Sequence, residues 1–284
     1  MTIQQRRVSL PKAMRLVTSY GILLIVSVLV SLPIVWLLLT SFKAPTEYLS
    51  YPIQILPKVP QWANYAQVFD RIPFWRYAGQ TFFLAMSFSV LCVLTSAMAG
   101  FSFARLRAPG RNRLFSVVVT LIIVPTIVTV IPQFIVFARL HLTNTYWPWI
   151  LWGLTASPFH IFLFRQFFAG IPMELEDAAE VDGCSLLRTF GQVFLPNAKP
   201  ALTTSFIFNF SWVWSDWFTP MIYLGDRNTT LAVKLASGYV DPQNNPLITV
   251  TLAACVVYML PMVITFFLAQ RYIMQGAITS GLKG

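Results

Sequence analysis

The sequence predicts an all-α integral membrane protein with six transmembrane helices. Three observations carry this reading. Only 11% of the 284 residues are charged and 56% are hydrophobic, with a mean hydropathy of +0.65, whereas a soluble domain carries about 25% charged residues. So few charges do not cover a water-facing surface. Apolar segments recur along the chain at close to the length of about 20 residues that crosses a bilayer. The basic residues lie between those segments, as topology-setting charges do.

The six segments run at residues 20–40, 80–103, 114–137, 146–163, 202–224 and 250–268. The first is long and lacks a small-residue cleavage site after it, so it reads as an anchor rather than a removed leader. His160 interrupts the fourth and Asp216 the fifth. Six spans put both termini on one side. Thirteen of the 20 Lys+Arg fall there, including Arg6, Arg7, Lys12 and Arg15, the run Arg105, Arg107, Arg111 and Arg113, and Lys283. Seven fall on the other side. The excess predicts that both termini are cytoplasmic.

The net charge of +10 is spread between apolar runs rather than gathered on one face, which argues against nucleic acid. Cys92, Cys184 and Cys255 show neither CxxC nor metal-ligand spacing, and His141 and His160 are isolated. A GxxxxGK[ST] phosphate loop is absent from the sequence, so the chain has no visible means of using ATP itself. The outside segment 41–77 holds Pro52, Pro57, Pro60 and Pro73 with Trp62, Tyr65 and Trp75. It reads equally as an interfacial aromatic belt or as a docking surface for an external partner.

The loop between the fourth and fifth segments differs from the others. It reads Gly170-Ile-Pro-Met-Glu-Leu-Glu-Asp-Ala-Ala-Glu-Val-Asp-Gly183 and holds half of the chain's ten acids: Glu174, Glu176, Asp177, Glu180 and Asp182. Pro172 suits a first helical turn, early acids favour the positive end of a helix, and Gly183 suits a stop. Two short helices joined at Gly183 are expected, the second carrying Leu186, Leu187 and Phe190 and ending at Pro196. By i, i+3, i+4, i+7 spacing, Glu176, Ala179, Glu180 and Gly183 share one face. That face is expected to admit a close-packed basic partner.

This segment, with Val193-Phe-Leu-Pro196 following Gly183 after nine residues, resembles the EAA motif of ABC importer permeases. The motif reads roughly E-A-A-x-x-x-G and then hydrophobic-x-L-P. Asp177 beside Glu176 is a departure that Ala178 and Ala179 absorb, keeping Gly183 in register. The resemblance extends along the chain. Ser41-Phe-Lys43 with Glu47, Trp62-Ala-Asn-Tyr65, Ala99-Gly-Phe-Ser-Phe-Ala-Arg105, Pro109-Gly-Arg111, Thr143-Asn-Thr-Tyr146 and Gly281-Leu-Lys-Gly284 are similar, in order, to the MalG-like subunits of binding-protein-dependent carbohydrate importers.

The resemblance implies the type I ABC importer permease fold, a tail at 1–19 before a permease domain at 20–284, and an EAA loop at about 170–196. It implies that Glu176, Asp177, Ala178, Ala179, Glu180, Asp182 and Gly183 form a coupling helix seated on a cytoplasmic ATPase. The implied partners are a second, different permease, two copies of the ABC ATPase and an extracytoplasmic solute-binding protein. ATP and Mg would be bound by the ATPase, leaving no cofactor in this chain. The implied location is a bacterial or archaeal cell membrane, and the implied solute is a sugar, with a di- or oligosaccharide favoured.

The fifth segment reads Phe208-Asn-Phe-Ser-Trp-Val-Trp-Ser-Asp-Trp-Phe-Thr-Pro220. A carboxylate within a span costs about 2.5–3.5 kcal/mol to insert, so Asp216 is expected to face a polar cavity or a partner. Aromatic faces stack on sugar rings, and amides and carboxylates bond hydroxyls. Asn209, Trp212, Trp214, Asp216 and Trp217 are therefore the candidate pathway residues. The competing expectation is that the tryptophans form an interface belt and Asp216 caps a helix locally. Pro125, Pro132 and Pro261 are candidate kinks.

Other classes fit less well. An ion-coupled secondary transporter of a polar solute predicts internal repeats and buried acid or His relays, whereas the sequence shows no repeat and one clear intramembrane acid, Asp216. A membrane-embedded enzyme needs a catalytic constellation within the spans. A channel or a structural subunit has no need of the acidic Ala/Gly loop.

Overall fold

A computed structural model describes residues 10–281, with side chains described for 14–270. Arg6, Arg7 and Lys283 lie outside the described residues, as does most of the tail ending at Gly284. The helices, in chain order, begin with α1 (Leu10–Ser41), α2 (Pro45–Tyr48), α3 (Ala63–Arg71) and α4 (Phe74–Arg105). Then come α5 (Arg111–Thr120), α6 (Thr126–Arg139), α7 (Trp147–Leu154), α8 (Pro158–Ala169) and α9 (Glu174–Val181). The series closes with α10 (Leu186–Thr189), α11 (Leu195–Asn197), α12 (Lys199–Ser215), α13 (Phe218–Tyr223), α14 (Leu231–Ser237) and α15 (Ile248–Gly281). A 3₁₀ turn at Leu121–Ile123 follows α5, and a π turn at Phe190–Phe194 joins α10 to α11.

Among the described residues, three helices are long and apolar enough to cross a membrane: Met14–Ser41, Phe74–Arg105 and Ile248–Gln270. The third apolar segment is a pair, Arg111–Ile123 and Thr126–Arg139, bent by 98°. Proline explains the break. Val124, forced out of the helical region by the following Pro125, is extended at ψ 115°. Pro132 and Pro261, by contrast, sit inside continuous helices.

The fourth segment is interrupted as well. α7 has 8 residues and α8 has 12, spans of about 12 and 18 Å at about 1.5 Å per residue. Ala156 adopts φ +58°, and Ser157 is extended ahead of Pro158, which opens α8. Backbone groups freed by such a break need partners inside a membrane. α4 supplies them: the Thr95 hydroxyl is 3.0 Å from the Gly153 carbonyl, and Ser96 Oγ accepts the Ser157 N–H at 3.0 Å. The fifth segment splits into α12 and α13 at Asp216, which is extended at ψ 114°.

The chain divides into two compact units. One comprises residues 1–71 and 238–257; the other comprises 72–237 and 258–284. In the first, the segments read together in the sequence do meet. Asn64 Nδ2 donates to the carbonyls of Ser41 and Lys43 at 2.8 and 3.0 Å, Ser41 Oγ lies 2.8 Å from the Tyr65 hydroxyl, and Phe42 packs edge-on to Trp62. Lys43 is buried at 1% exposure; its Nζ donates to the Gln54 carbonyl and sits 4.4 Å from the Trp36 ring centre. Tyr239 donates to the Val68 carbonyl at 3.1 Å.

In the second unit, α4 is the central helix, packed on α7, α8 and α12. Glycines permit the close approach. A Cβ on Gly100 would fall 2.5 Å from Phe164 Cβ, and one on Gly153 would fall 2.9 Å from Leu91 Cβ. Small residues at such crossings are how membrane helices gain packing energy without a hydrophobic drive between them. Around them lie two clusters. One is built on Leu84, Trp149, Phe210 and Trp214, and the other on Phe101, Phe164, Phe168 and Phe194.

Candidate functional site

The acidic loop folds as α9, a turn, and the broken second helix α10–α11. Glu174, Glu176 and Asp177 stand in the first turn of α9, where negative charge is favoured by the exposed N–H groups. The helix closes by a C-terminal turn: the Asp182 N–H reaches the Ala178 carbonyl, Gly183 reaches Glu180, and Cys184 reaches Ala179 at 2.9 Å. Gly183 takes φ +73°, a left-handed conformation in which a side chain is strained. A Cβ there would meet nothing within 4 Å. The glycine is thus required by the backbone and not by crowding within this chain.

The faces of α9 differ from the expectation. Ala179 is buried at 6% exposure. Glu176 turns inward, its Oε2 lying 3.4 Å from Arg105 Nη1. Glu174, Asp177, Ala178, Glu180, Asp182 and Gly183 are exposed, as are Val181, Leu186 and Leu187. The face shared by Glu176 and Ala179 is therefore spent within the chain, and the outward face is carried by Asp177, Ala178, Val181 and Gly183. The reason is a distant cation: Arg105, at the end of α4, draws in the one carboxylate it can reach. Periodicity within α9 carries no sign of that partner. The second stretch also divides, since Phe190 is buried while Leu186 and Leu187 are free.

The five candidate pathway residues do not converge on one surface. Asn209 is buried, its Nδ2 donating to the Ser205 carbonyl at 3.1 Å and lying 3.5 Å from His160 Nε2. Trp214 is buried at 4% exposure, stacked on Phe210 and Tyr258, with Nε1 donating to the Tyr258 carbonyl at 3.3 Å. Asp216 is half-buried, and its Oδ1 accepts the Phe218 and Thr219 N–H groups at 2.9 and 3.0 Å. That is local capping of α13, the competing expectation stated above. Trp212 and Trp217 are exposed, at 67% and 49%. Asn209 and Trp214 are both buried and bonded within the bundle, so of the five only the outward tryptophans are exposed to another molecule.

Arg105 was legible only as the end of a motif, yet it organises the loop. Outside the spans, Lys234 is tied to Asp226. Partial burial acts to lower its pKa, but Asp226 and Tyr77 more than offset this and hold it above the ordinary lysine value. Hydrogen bonds from the Asn245 side chain and from the Asn245 and Gln243 backbones hold the Asp241 carboxyl below its ordinary range. Among the described residues, no group of three or more His, Cys, Asp or Glu gathers as a metal site.

The described residues are helical, with long apolar helices and, between them, the short acidic helix α9, as fits a subunit embedded in a membrane. Residues 92–278 match the family model of the binding-protein-dependent transport system inner membrane component. The chain is 31% identical over 256 residues to the arabinooligosaccharides transport system permease protein AraQ of Halalkalibacterium halodurans, covering 89% of this chain and 91% of that protein. It is 30% identical to the diacetylchitobiose uptake system permease protein NgcG of Streptomyces coelicolor, covering 93% and 87%. Its fold is similar to a chain from the crystal structure of a bacterial ABC transporter involved in the import of the acidic polysaccharide alginate, with a TM-score of 0.80 at 22% identity over 93% of this chain and 98% of that one. The chain belongs to the family of binding-protein-dependent transport system inner membrane components, and it is a permease subunit.

Proposed function

We propose that this chain is one of two different permeases in an ATP-driven importer that moves a di- or oligosaccharide into the cytoplasm. The observation that carries the proposal is α9. It is a short acidic helix outside the spans, with an exposed Asp177–Ala178–Val181 face and Gly183 closing it in a left-handed turn. A family permease needs such a face to receive work from a separate ATPase. In this reading six spans cross the membrane, with α7–α8 and α12–α13 as broken spans, and 20–284 forms the permease domain after a 1–19 tail. Both termini are cytoplasmic, in keeping with the distribution of Lys and Arg. Two ATPase copies bind ATP and Mg, and an extracytoplasmic binding protein delivers the solute. Closure of the ATPase pair moves the coupling helices together and turns the pathway outward, a rigid-body switch. The names of the relatives support a sugar as solute. Trp212 and Trp217, the exposed pair, are the pathway residues proposed to meet it.

The test is purification of the tagged chain from its own membranes in mild detergent, with partners identified by mass spectrometry. A Gly183→Arg variant runs alongside. The expected result is a P-loop ATPase and a second permease with the native chain, and loss of the ATPase alone with the variant. Recovery of the native chain without any ATPase would refute the importer reading and favour an ion-coupled carrier.

A further inference from the structure

Arg105 is the last residue of α4, and its side chain is 5% exposed. Its contacts are made by the two terminal nitrogens, and its buried Nε carries no hydrogen bond. Here Nη2 donates to the carbonyl of Phe168 at 2.7 Å and to that of Ile171. These carbonyls lie at and just beyond the end of α8, where helical groups lack intrahelical partners and a positive charge is favoured. Its plane lies over the Phe194 ring at 5.0 Å, in the π turn after the acidic loop. The other terminal nitrogen, Nη1, lies 2.7 Å from Met173 Sδ and forms an ion pair with Glu176 Oε2 at 3.4 Å, an oxygen that accepts no hydrogen bond. One planar group therefore joins the ends of α4 and α8, the π turn, and α9.

We propose that Arg105 is a positioning residue for coupling: its ion pair with Glu176 is the strut through which movement of α9 reaches α4. Three observations converge on this. Glu176 is the one acid of α9 turned inward, while Glu174, Asp177, Glu180 and Asp182 stay exposed. The principal packing of α9 is otherwise against the short elements that follow it, α10 and the π turn. α4, at the far end of the strut, is the helix on which α7, α8 and α12 all pack. A displacement of α9 delivered to Arg105 is thus delivered to the centre of the bundle. A forked guanidinium suits the task because it holds two carbonyls and a carboxylate at once, which a lysine ammonium does with poorer geometry. The proposal rests on α9 being the coupling helix.

The test is hydrogen–deuterium exchange on the purified transporter with its bound ATPase, with and without a non-hydrolysable ATP analogue and Mg. Native protein is compared with Glu176→Gln, which keeps the side-chain shape, and with Arg105→Lys. In native protein the analogue is expected to slow exchange roughly threefold or more both in α9 and in the last turn of α4, residues 102–106. In Glu176→Gln the slowing in α9 persists and the slowing in 102–106 is lost, while Arg105→Lys retains part of it. An undiminished response at 102–106 in Glu176→Gln would overturn the strut. An analogue that leaves α9 unaffected in native protein would instead remove the coupling-helix reading itself, and the strut with it.

Discussion

Replacing Gly100 with alanine tests the packing of α4 on α8 with a single methyl group. The new Cβ would lie 2.5 Å from Phe164 Cβ, 3.0 Å from the Arg165 nitrogen and 3.1 Å from the Ile161 carbonyl oxygen. Carbon atoms pack at about 3.5–4.0 Å, so the helices must separate by something on the order of 1 Å. None of the three atoms can swing aside, because two are backbone and the third is the root of a fully buried phenylalanine. Overpacking of this kind costs about 1–3 kcal/mol. At about 2–4 °C per kcal/mol, the thermal midpoint should fall by roughly 2–12 °C. The assay is tryptophan fluorescence during heating of the detergent-purified transporter. Two controls share the chemistry. Gly153→Ala brings a Cβ within 2.9 Å of Leu91 Cβ and should be damaging in the same sense. Gly79→Ala, on the exposed side of the same helix α4 with nothing within 4 Å, should be neutral or stabilising by up to about 1 kcal/mol. The reasoning fails if Gly100→Ala melts with the native protein, or if Gly79→Ala is as harmful.

Other expectations follow from the same geometry. Asp216→Ala should destabilise by about 1 kcal/mol through loss of the α13 cap, whereas Asp216→Asn should retain most of that; equal loss of uptake in both, with unchanged melting, would point to a pathway role instead. Trp214→Ala should cost about 3–5 kcal/mol because it empties a stacked core position, while Trp212→Ala and Trp217→Ala should leave the midpoint unchanged and lower uptake of a radiolabelled oligosaccharide. Lys43→Met should be tolerated in bulk yet loosen residues 50–56, measured as faster amide exchange around Gln54. The Asp241 carboxyl is held below its ordinary range, so its contribution is present above about pH 4 and is lost as pH falls through its lower folded value. Protection of the Gln243 and Asn245 amides should therefore be flat from pH 7 to about 4 and fall below that, with Asp241→Ala unprotected throughout.

Much of this arrangement was legible because it is written in local pattern. Apolar run length located α1, α4 and α15, and Pro125 marked the bend between α5 and α6. Ser41–Lys43 and Trp62–Tyr65 were read as parts of one region, and they meet through Asn64 and Tyr65. The acidic run and Gly183 located α9. What was not legible depends on partners remote in sequence. Glu176 looks like its neighbours until Arg105, 71 positions away, is brought beside it. Ala179 reads as a small exposed residue until the body of the protein covers it. Asn209 and Trp214 look like pathway groups because an amide and an indole suit a sugar, but the same chemistry also satisfies a bundle interior, and His160 and Tyr258 claim them first.

The break between α7 and α8 bears on how the chain is assembled during synthesis. α4 carries a complete insertion signal in one uninterrupted helix, while α7 and α8 singly are too short to be one. With α7–α8 as the broken span proposed above, their freed carbonyl and amide at Gly153 and Ser157 find partners on Thr95 and Ser96, which belong to α4. Because α4 leaves the ribosome first, the acceptor and donor are already at membrane depth when the broken pair arrives. The direction of translation and the hydrogen-bond requirements of the break thus agree. Moving α7–α8 ahead of α4 by circular permutation would set them against each other: the same contacts would remain available in the finished fold, but they would be missing at the moment of entry.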